Sequence, residues 1–155
     1  MNAHPTFSRA KWLIGCAVAA ISIGAHAQSG GESPDALLHD ADAVFKQLDA
    51  GQYRDVWTDS AAFMKARIKQ DQFAADMQRA RQSFGTVRYR GWAQITRIRY
   101  TNAAGMPDGL YANLDYATTL ASGSIVYEKL SFRLENDGHW HMTGYVPRRS
   151  QNYTP

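Results

Sequence analysis

The sequence contains a single cysteine, Cys16, among its 155 residues. Disulfide bonds within the chain and clusters of cysteine ligands around a metal are therefore excluded. A large excess of charge of one sign is also absent, because 17 lysine and arginine residues face 14 aspartate and glutamate residues. Proteins that bind nucleic acid mainly through charge have a stronger basic excess, so the composition gives no support to that class.

Long apolar runs are absent except near the N-terminus. Arg9 and Lys11 precede an apolar run over residues 12–23, and small residues follow at the two positions that a signal peptidase reads. The pattern predicts a signal peptide over residues 1–27, cleaved after Ala27, and a periplasmic or secreted protein. The run is shorter than the ~20 apolar residues of a membrane-spanning helix, so we expect no stable membrane span after cleavage.

The same segment contains a competing pattern. Leu13-Ile14-Gly15-Cys16 matches a lipoprotein signal, in which Cys16 would carry the lipid. The apolar region should precede that cysteine, whereas most of it follows here, so we favour cleavage after Ala27. Such cleavage leaves 15 basic against 14 acidic side chains. The remaining chain of about 128 residues is long enough to form one domain around a hydrophobic core.

Three helices are predicted in the N-terminal half, after a flexible lead-in over residues 28–32. Ser33 is a capping residue followed by a proline, and apolar residues at helical spacing continue from there to the next glycine. A second helix starts near Tyr53 and continues through Met64, with its apolar residues on one face. A third helix covers residues 70–84 and ends at a glycine.

Four strands are predicted after the third helix, where β-branched and aromatic residues become frequent. The first covers residues 86–101, and the isolated Gly91 within it predicts a bulge that shifts the register. Alternating apolar residues predict the second strand over residues 110–121. The third and fourth strands lie within residues 124–145 and are joined by a turn at residues 136–138.

Segregated helices and strands with short connections predict an α+β fold with an antiparallel sheet. We expect a single domain over residues 33–147, in which the three N-terminal helices pack on a bent four-stranded sheet. This arrangement is a half-open cone with a pocket between the sheet and the helices. The polar tail over residues 148–155 is expected to fray.

One charged residue interrupts the apolar face of the third strand. Glu128 lies between Val126 and Leu130, where a carboxylate is costly unless it is paired or protonated. We favour a structural ion pair with Arg81 or Arg90, and the competing hypothesis makes Glu128 a proton-transferring acid or base in the pocket. Because Arg81 borders the apolar stripe of the third helix, we expect its stem to pack while its guanidinium reaches solvent.

Two further groups of residues invite a chemical interpretation. His139 and His141 point the same way on a strand, but no third ligand is evident nearby, so we expect a solvated pair rather than a metal site. Arginines alternate with aromatic residues in the first strand, as in some nucleic-acid surfaces, and we interpret them as the solvated face of an antiparallel sheet. These arginines are Arg88, Arg90, Arg97 and Arg99.

A set of residues spread along the chain matches a known pattern. They are Tyr53, Trp57, Arg81, Gly85, Arg90, Pro107-Asp108-Gly109, Tyr111, Glu128, Asp137-Gly138, Trp140, Gly144 and Tyr145. The set resembles a family of small exported bacterial proteins, domain of unknown function 4019, with a nuclear transport factor 2-like (cystatin-like) superfold. His141 departs from the pattern, because an arginine or a similar residue is expected after Trp140. The resemblance implies the fold and the export, and it implies no reaction.

We therefore expect a non-enzymatic module that binds a small apolar ligand or another envelope protein. The candidate binding residues are Glu128, Arg81, Tyr116, Trp140, Tyr145 and Trp57. By analogy with the superfold, the outer face of the sheet can form a homodimer. The alternative is a small isomerase- or hydrolase-like enzyme with Glu128 as acid or base, but a second catalytic group in a recognisable spacing is missing. The sequence predicts no cofactor, metal or nucleic-acid partner.

Overall fold

The structure, a computed structural model, describes residues 32–150. In this part of the chain the helices are α1 (Pro34–Asp49), α2 (Tyr53–Thr58), α3 (Ala62–Lys65) and α4 (Gln70–Arg81), and the strands are β1 (Val87–Tyr100), β2 (Gly109–Leu120), β3 (Ile125–Leu134) and β4 (Trp140–Arg148). The predicted signal peptide, Cys16 and the lead-in before Glu32 lie outside the described residues. None of the helices within residues 32–150 is long and apolar enough to cross a membrane.

The strands form one antiparallel sheet in the order β1-β2-β3-β4. Consecutive strands are neighbours because each connection is a short hairpin. In the β3–β4 turn, Gly138 has a φ of 81°, a backbone conformation that favours glycine. The predicted α+β fold and the predicted turn over residues 136–138 are both confirmed.

The helices pack on one face of the sheet, and the hydrophobic core lies between the two layers. Alternate residues of β2 and β3 are buried there, which gives each strand one inner and one outer face. The core residues of the two strands and of α1 are Ala112, Leu114, Tyr116, Leu130, Phe132, Leu37, Ala41, Val44, Phe45 and Leu48. Burial of one large aliphatic side chain contributes about 1.5–3 kcal/mol, so this shared face stabilises the contact between the layers.

The predicted second helix is divided into α2 and α3. The buried Ser60 hydroxyl donates to the Val56 carbonyl at 2.6 Å. The next residue, Ala61, has an extended backbone, and its N–H donates to the Met142 carbonyl of β4 at 3.0 Å. The chain leaves the helical path here because this bond attaches it to the edge of the sheet, a contact that the apolar spacing of residues 53–64 does not reveal.

Three predicted boundaries also differ from the structure. The third helix, α4, ends at Arg81 rather than at residue 84. Arg148, expected at the start of a fraying tail, pairs with Tyr127 in β4, and its guanidinium donates to Asp115 Oδ1 at 2.7 Å. Glu32, the last residue of the lead-in, accepts a hydrogen bond at its carbonyl from Arg97 Nη1 at 2.8 Å. Contacts between distant residues therefore extend the ordered part of the domain in both directions.

Strand β1 shifts register relative to β2 at two points, between Val87 and Tyr89 and between Trp92 and Gln94. The predicted irregularity exists, but Gly91 itself is regularly paired and lies between the two shifts. Each shift adds one residue without a cross-strand partner, so the alternation along β1 is interrupted twice. A strict alternation drawn from the sequence therefore fails to assign the faces of this strand.

Candidate functional site

Glu128 lies on the inner face of β3 and has 0% of its surface exposed. Its Oε1 accepts from Arg81 Nη1 at 3.0 Å and from the Tyr145 hydroxyl at 2.6 Å. Its Oε2 accepts from Arg90 Nε at 2.9 Å and from the Thr118 hydroxyl. Because an ionised carboxylate offers about four acceptor positions, these four donors satisfy it.

A second carboxylate, Asp49, contacts the same two arginines. Arg81 Nη2 donates to Asp49 Oδ1. Arg90 donates from Nη1 to Oδ2 at 3.0 Å and from Nη2 to Oδ1 at 3.1 Å. Asp49, Arg81, Arg90 and Glu128 thus form one connected group, which we call the charged cluster. The Asp49 side chain is 34% exposed, so the cluster meets solvent at this end.

Each member of the charged cluster comes from a different element. Asp49 ends α1, Arg81 ends α4, Arg90 lies on β1 and Glu128 lies on β3. Both acidic members contact both basic members, so two negative charges balance two positive charges. Burial of charge is tolerated under these conditions, because a buried ion requires both a partner and hydrogen bonds.

Aromatic rings cover both guanidinium groups. The Arg90 guanidinium carbon lies 3.8 Å from the centre of the Phe45 ring, and that of Arg81 lies 4.6 Å from the Phe84 ring. Desolvated cation–π contacts of this kind contribute up to about 2 kcal/mol. Burial by itself lowers the pKa of Arg90, but the hydrogen bonds and charges of Asp49 and Glu128 outweigh it and raise the pKa. Arg90 is therefore held in its charged form.

Tyr145 links two members of the cluster as a neutral hydroxyl. It accepts from Arg81 Nη1 at 2.8 Å while donating to Glu128 Oε1. Burial raises the pKa of Tyr145 far above its ordinary value, and the Glu128 charge raises it further. The phenol therefore keeps its proton and acts as a fixed hydrogen-bond donor, which is a structural role.

Tyr116 lies beside Glu128, since the two residues pair across β2 and β3. Its ring packs edge-on against Phe45 with ring centres 4.8 Å apart. Its buried hydroxyl has no hydrogen-bond partner among residues 32–150. Burial raises the pKa of Tyr116, so the hydroxyl stays protonated.

The two tryptophans proposed as binding residues lie elsewhere. Trp57 Nε1 donates to the Ile68 carbonyl at 2.8 Å. Trp140 is 3% exposed, and the Arg97 guanidinium carbon lies 5.8 Å from the centre of its ring. The structure therefore brings Glu128, Arg81 and Tyr145 together with Tyr116 nearby, and it does not bring the tryptophans to the same place.

The predicted environment of three arginines is wrong. The Arg81 side chain is 5% exposed, and its guanidinium lies inside the cluster rather than in solvent. Its partner Glu128 is 47 residues away in sequence, which helical spacing cannot reveal. Arg90 and Arg97 are bonded to buried or backbone groups instead of forming a solvated face, because the register shifts of β1 turn them inward. Arg88 and Arg99 are exposed, as predicted.

Two members of the site were missed by the sequence analysis. Asp49 follows the polar side of α1, so nothing in its spacing distinguishes it from a solvated carboxylate. Thr118 had a signal, since strand alternation places it on the inner face between Tyr116 and Leu120. A polar residue at a buried strand position indicates a buried hydrogen-bond partner.

His141 is partly buried, so the prediction of a solvated histidine pair is wrong at this position. Its Nδ1 lies 2.7 Å from the Asp59 carbonyl oxygen and its Nε2 lies 2.8 Å from Asp137 Oδ2. Both partners can only accept, so both contacts are hydrogen bonds at once only when the ring is an imidazolium. Burial lowers the pKa of His141, but the bonds to Asp59 and Asp137 outweigh it and raise the pKa.

His139, by contrast, has a 67% exposed side chain. The two histidines therefore differ in surroundings although they are two residues apart on one strand. Within residues 32–150, no group of three or more histidine, cysteine, aspartate or glutamate side chains is arranged to hold a metal ion.

The fold and the cluster define a class of protein: a small α+β domain whose helices are joined to an antiparallel sheet by balanced buried charges. Over residues 40–145 the sequence matches the model of a family described as a protein of unknown function, DUF4019. The chain belongs to this family, so the predicted membership of domain of unknown function 4019 is confirmed. Among curated proteins, no match to the sequence is found.

Proposed function

We propose that the protein is exported and acts in the periplasm or outside the cell as a non-enzymatic binding module. The observation that carries this proposal is the state of Glu128, which is fully buried and bonded to four donors. A general base needs a free lone pair within reach of the proton that it removes. The geometry supports a structural role for this carboxylate rather than proton transfer.

The alternative function is an isomerase- or hydrolase-like enzyme that uses Glu128. It requires the carboxylate to open into a pocket, whereas its side chain is 0% exposed. The residues that would assist such an enzyme are Tyr116, Tyr145 or Arg81. Arg81 and Tyr145 are bonded to the same carboxylate, and Tyr116 pairs with Glu128 across the strands. The enzyme is therefore the less supported of the two candidate functions.

The outer face of the sheet offers a surface for a protein partner. Tyr89 and Ile125 are 67% and 52% exposed, and both pair with Thr119, so the three residues form a row across β1, β2 and β3. We call Tyr89, Thr119 and Ile125 the outer row. Exposed apolar side chains grouped on one face are typical of interaction sites. The outer row supports a homodimer through the sheet face, with another envelope protein as the second candidate partner.

Native mass spectrometry of the protein exported by a bacterial host tests this proposal. We expect a polypeptide mass that begins at Gln28, together with either a dimer or a retained small molecule. A lipid on Cys16 would contradict cleavage after Ala27. A bare monomer would count against the homodimer and against a small-molecule ligand. Turnover of an ester, or exchange of a carbon-bound proton, that Glu128→Gln abolishes would favour the enzyme over the binding module.

A further inference from the structure

A groove opens on the outer face of the sheet, at the end opposite the outer row. Its volume is about 260 Å³. α3 lies on one side and the β1–β2 hairpin on the other, and the floor consists of the start of β2, the end of β3 and the middle of β4. The lining residues that matter here are Phe63, Arg67, Tyr100, Tyr111, Ser131 and Gly144.

The position of α3 creates this groove. The bond from Ala61 N–H to the Met142 carbonyl attaches the start of α3 to the β4 edge, and Phe63 then reaches the outer face. The Phe63 ring lies 6.2 Å from the Tyr111 ring, and the Tyr100 ring lies 5.1 Å from Tyr111 on the other side. Edge-to-face contact is a preferred arrangement of aromatic groups. We call these three rings, Phe63, Tyr111 and Tyr100, the aromatic wall.

The central ring of the aromatic wall, Tyr111, is fixed before any ligand arrives. Tyr111 is 6% exposed although it lies on the outer face, and its hydroxyl donates to the Pro107 carbonyl at 2.8 Å. Little side-chain freedom is left for a ligand to remove, and a pre-organised site loses less free energy on binding.

The floor of the groove is open because β4 carries a glycine there. A Cβ added at Gly144 would meet the Ser131 Cβ at 3.9 Å, which is ordinary van der Waals contact, so packing does not require a glycine. The register shift of β4 leaves Thr143 unpaired beside it, and Ser131 donates to Asn113 Oδ1 at 2.7 Å. The floor is therefore shallow and polar, with hydroxyl and amide groups that can orient a ligand.

Arg67 is the one charged residue that lines the groove within residues 32–150. Its guanidinium donates to the Gly105 carbonyl and lies 5.3 Å from the centre of the Phe63 ring. A guanidinium has five N–H donors, and in the described part of the chain the Gly105 carbonyl is its acceptor, so donors remain for a ligand. A fixed positive charge disfavours a cationic ligand, and its planar fork matches a carboxylate.

We propose that this groove binds a small aromatic carboxylate, with the ring against the aromatic wall and the carboxylate on Arg67. Pockets that hold drug-sized ligands measure roughly 300–1,000 Å³, so a groove below that range fits one or two rings. The inference rests on the proposed binding function and names its ligand class. A free aromatic acid and the C-terminal aromatic residue of a peptide both present this chemistry.

The test is a titration followed by the backbone amide signals of the ¹⁵N-labelled exported protein. Indole-3-acetate should shift the amides of Ser131, Gly144 and Gly105 and reach saturation. Its neutral analogue indole-3-acetamide should bind about tenfold more weakly, because it loses a charge-assisted hydrogen bond. Absence of saturable shifts, or shifts concentrated away from the groove, would overturn the proposal.

Two variants and one control assign the binding to this groove. Arg67→Gln should weaken indole-3-acetate about tenfold and leave indole-3-acetamide unchanged. Gly144→Leu should abolish both, and its dispersed amide spectrum reports whether it is folded. Arg88→Gln, a change at an exposed arginine of β1, should alter neither ligand. Equal affinity of the acid for the native protein and for Arg67→Gln would overturn the proposal.

The peptide Gly-Gly-Trp with a free carboxylate distinguishes the two sources. Binding that is tighter than that of indole-3-acetate would assign the groove to peptide C-termini, and weaker binding would assign it to free acids. If none of the three compounds binds but native mass spectrometry shows a dimer or another retained molecule, the groove is not the ligand site. The proposed binding function would still hold in that case.

Discussion

At the scale of the residue, Glu128 is the position where the smallest chemical change has the largest expected effect. Glu128→Gln keeps the shape of the side chain but removes one negative charge from between Arg81 and Arg90. Loss of one partner from a buried ion pair costs about 3–5 kcal/mol, because the remaining charge stays desolvated. We expect a loss of this size in the free energy of unfolding, measured by urea denaturation.

The matched control is Glu32→Gln. The Glu32 side chain is 32% exposed and lies 3.8 Å from Arg99, which is a surface pair. Its substitution should change the free energy of unfolding by no more than about 0.5 kcal/mol. If Glu128→Gln unfolds at the same urea concentration as the native protein, the charged cluster has no structural role.

Sequence alternation was enough to single out Glu128, because one carboxylate on an apolar strand face is conspicuous. It was not enough to choose between Arg81 and Arg90, and the structure shows that both are partners. The participation of Asp49 depends on where the end of α1 lies relative to the sheet. That position is determined by how the helices pack on the sheet, so no local sequence pattern predicts it.

At the scale of the element, His141 connects the β3–β4 turn to the junction of α2 and α3. The connection exists while the ring is an imidazolium, since it donates to both Asp59 and Asp137. The folded-state pKa of His141 is raised above its unfolded value of about 6.5. The stabilisation is therefore fully present below about pH 6.5 and is lost as the pH rises through the folded-state pKa.

Urea denaturation at about pH 5.5 and about pH 8.5 checks this dependence. His141→Gln should lower the free energy of unfolding at the lower pH and have a smaller effect at the higher pH. The pKa of Asp137 is lowered, first by the His139 backbone N–H and then by His141, so this carboxylate stays charged over the whole interval. His139→Gln, at an exposed histidine, is the control and should change the free energy of unfolding little at either pH. If His141→Gln lowers the free energy of unfolding equally at both pH values, the interpretation is contradicted.

Elements with a regular pattern were predicted well, and elements shaped by their neighbours were not. Strands β2 and β3 follow their alternation over most of their length, and the exception in β2 is Tyr111, which is buried on the outer face. The division between α2 and α3 arises from a backbone bond to β4, and the two register shifts of β1 arise from its pairing with β2. In both cases the partner lies far away in sequence, so the local sequence does not indicate it.

At the scale of the whole molecule, we propose that the exposed outer row mediates association. Ile125→Asp places a charge in the outer row, and burial of an unpaired charge in an interface is strongly unfavourable. We expect a dimer that dissociates at least about tenfold more readily, measured by sedimentation equilibrium. Ser122→Asp, in the exposed β2–β3 turn, should leave the association unchanged. Identical sedimentation of the two variants would argue against the sheet-face dimer.

The fold of the molecule was predictable as a whole, whereas the content of the space between its layers was not. Helical and strand periods define which faces meet, and this determines the α+β architecture. The predicted inner pocket required Glu128 to be open, but partners 38 and 47 residues away surround it. Whether such a space is open or filled depends on the long side chains that extend across it. Sequence periodicity does not predict which partners these side chains contact.

The charged cluster also affects the cooperativity of folding. Its four members lie on α1, α4, β1 and β3, between 32 and 47 residues apart wherever they are bonded. In the unfolded chain every member is hydrated, and in the native domain every member is matched, but a partly assembled domain buries a charge without its counterpart. We therefore expect partly folded forms to be raised in free energy and folding to be all-or-none. An exported chain that crosses the membrane unfolded would then acquire its structure in a single step on the far side.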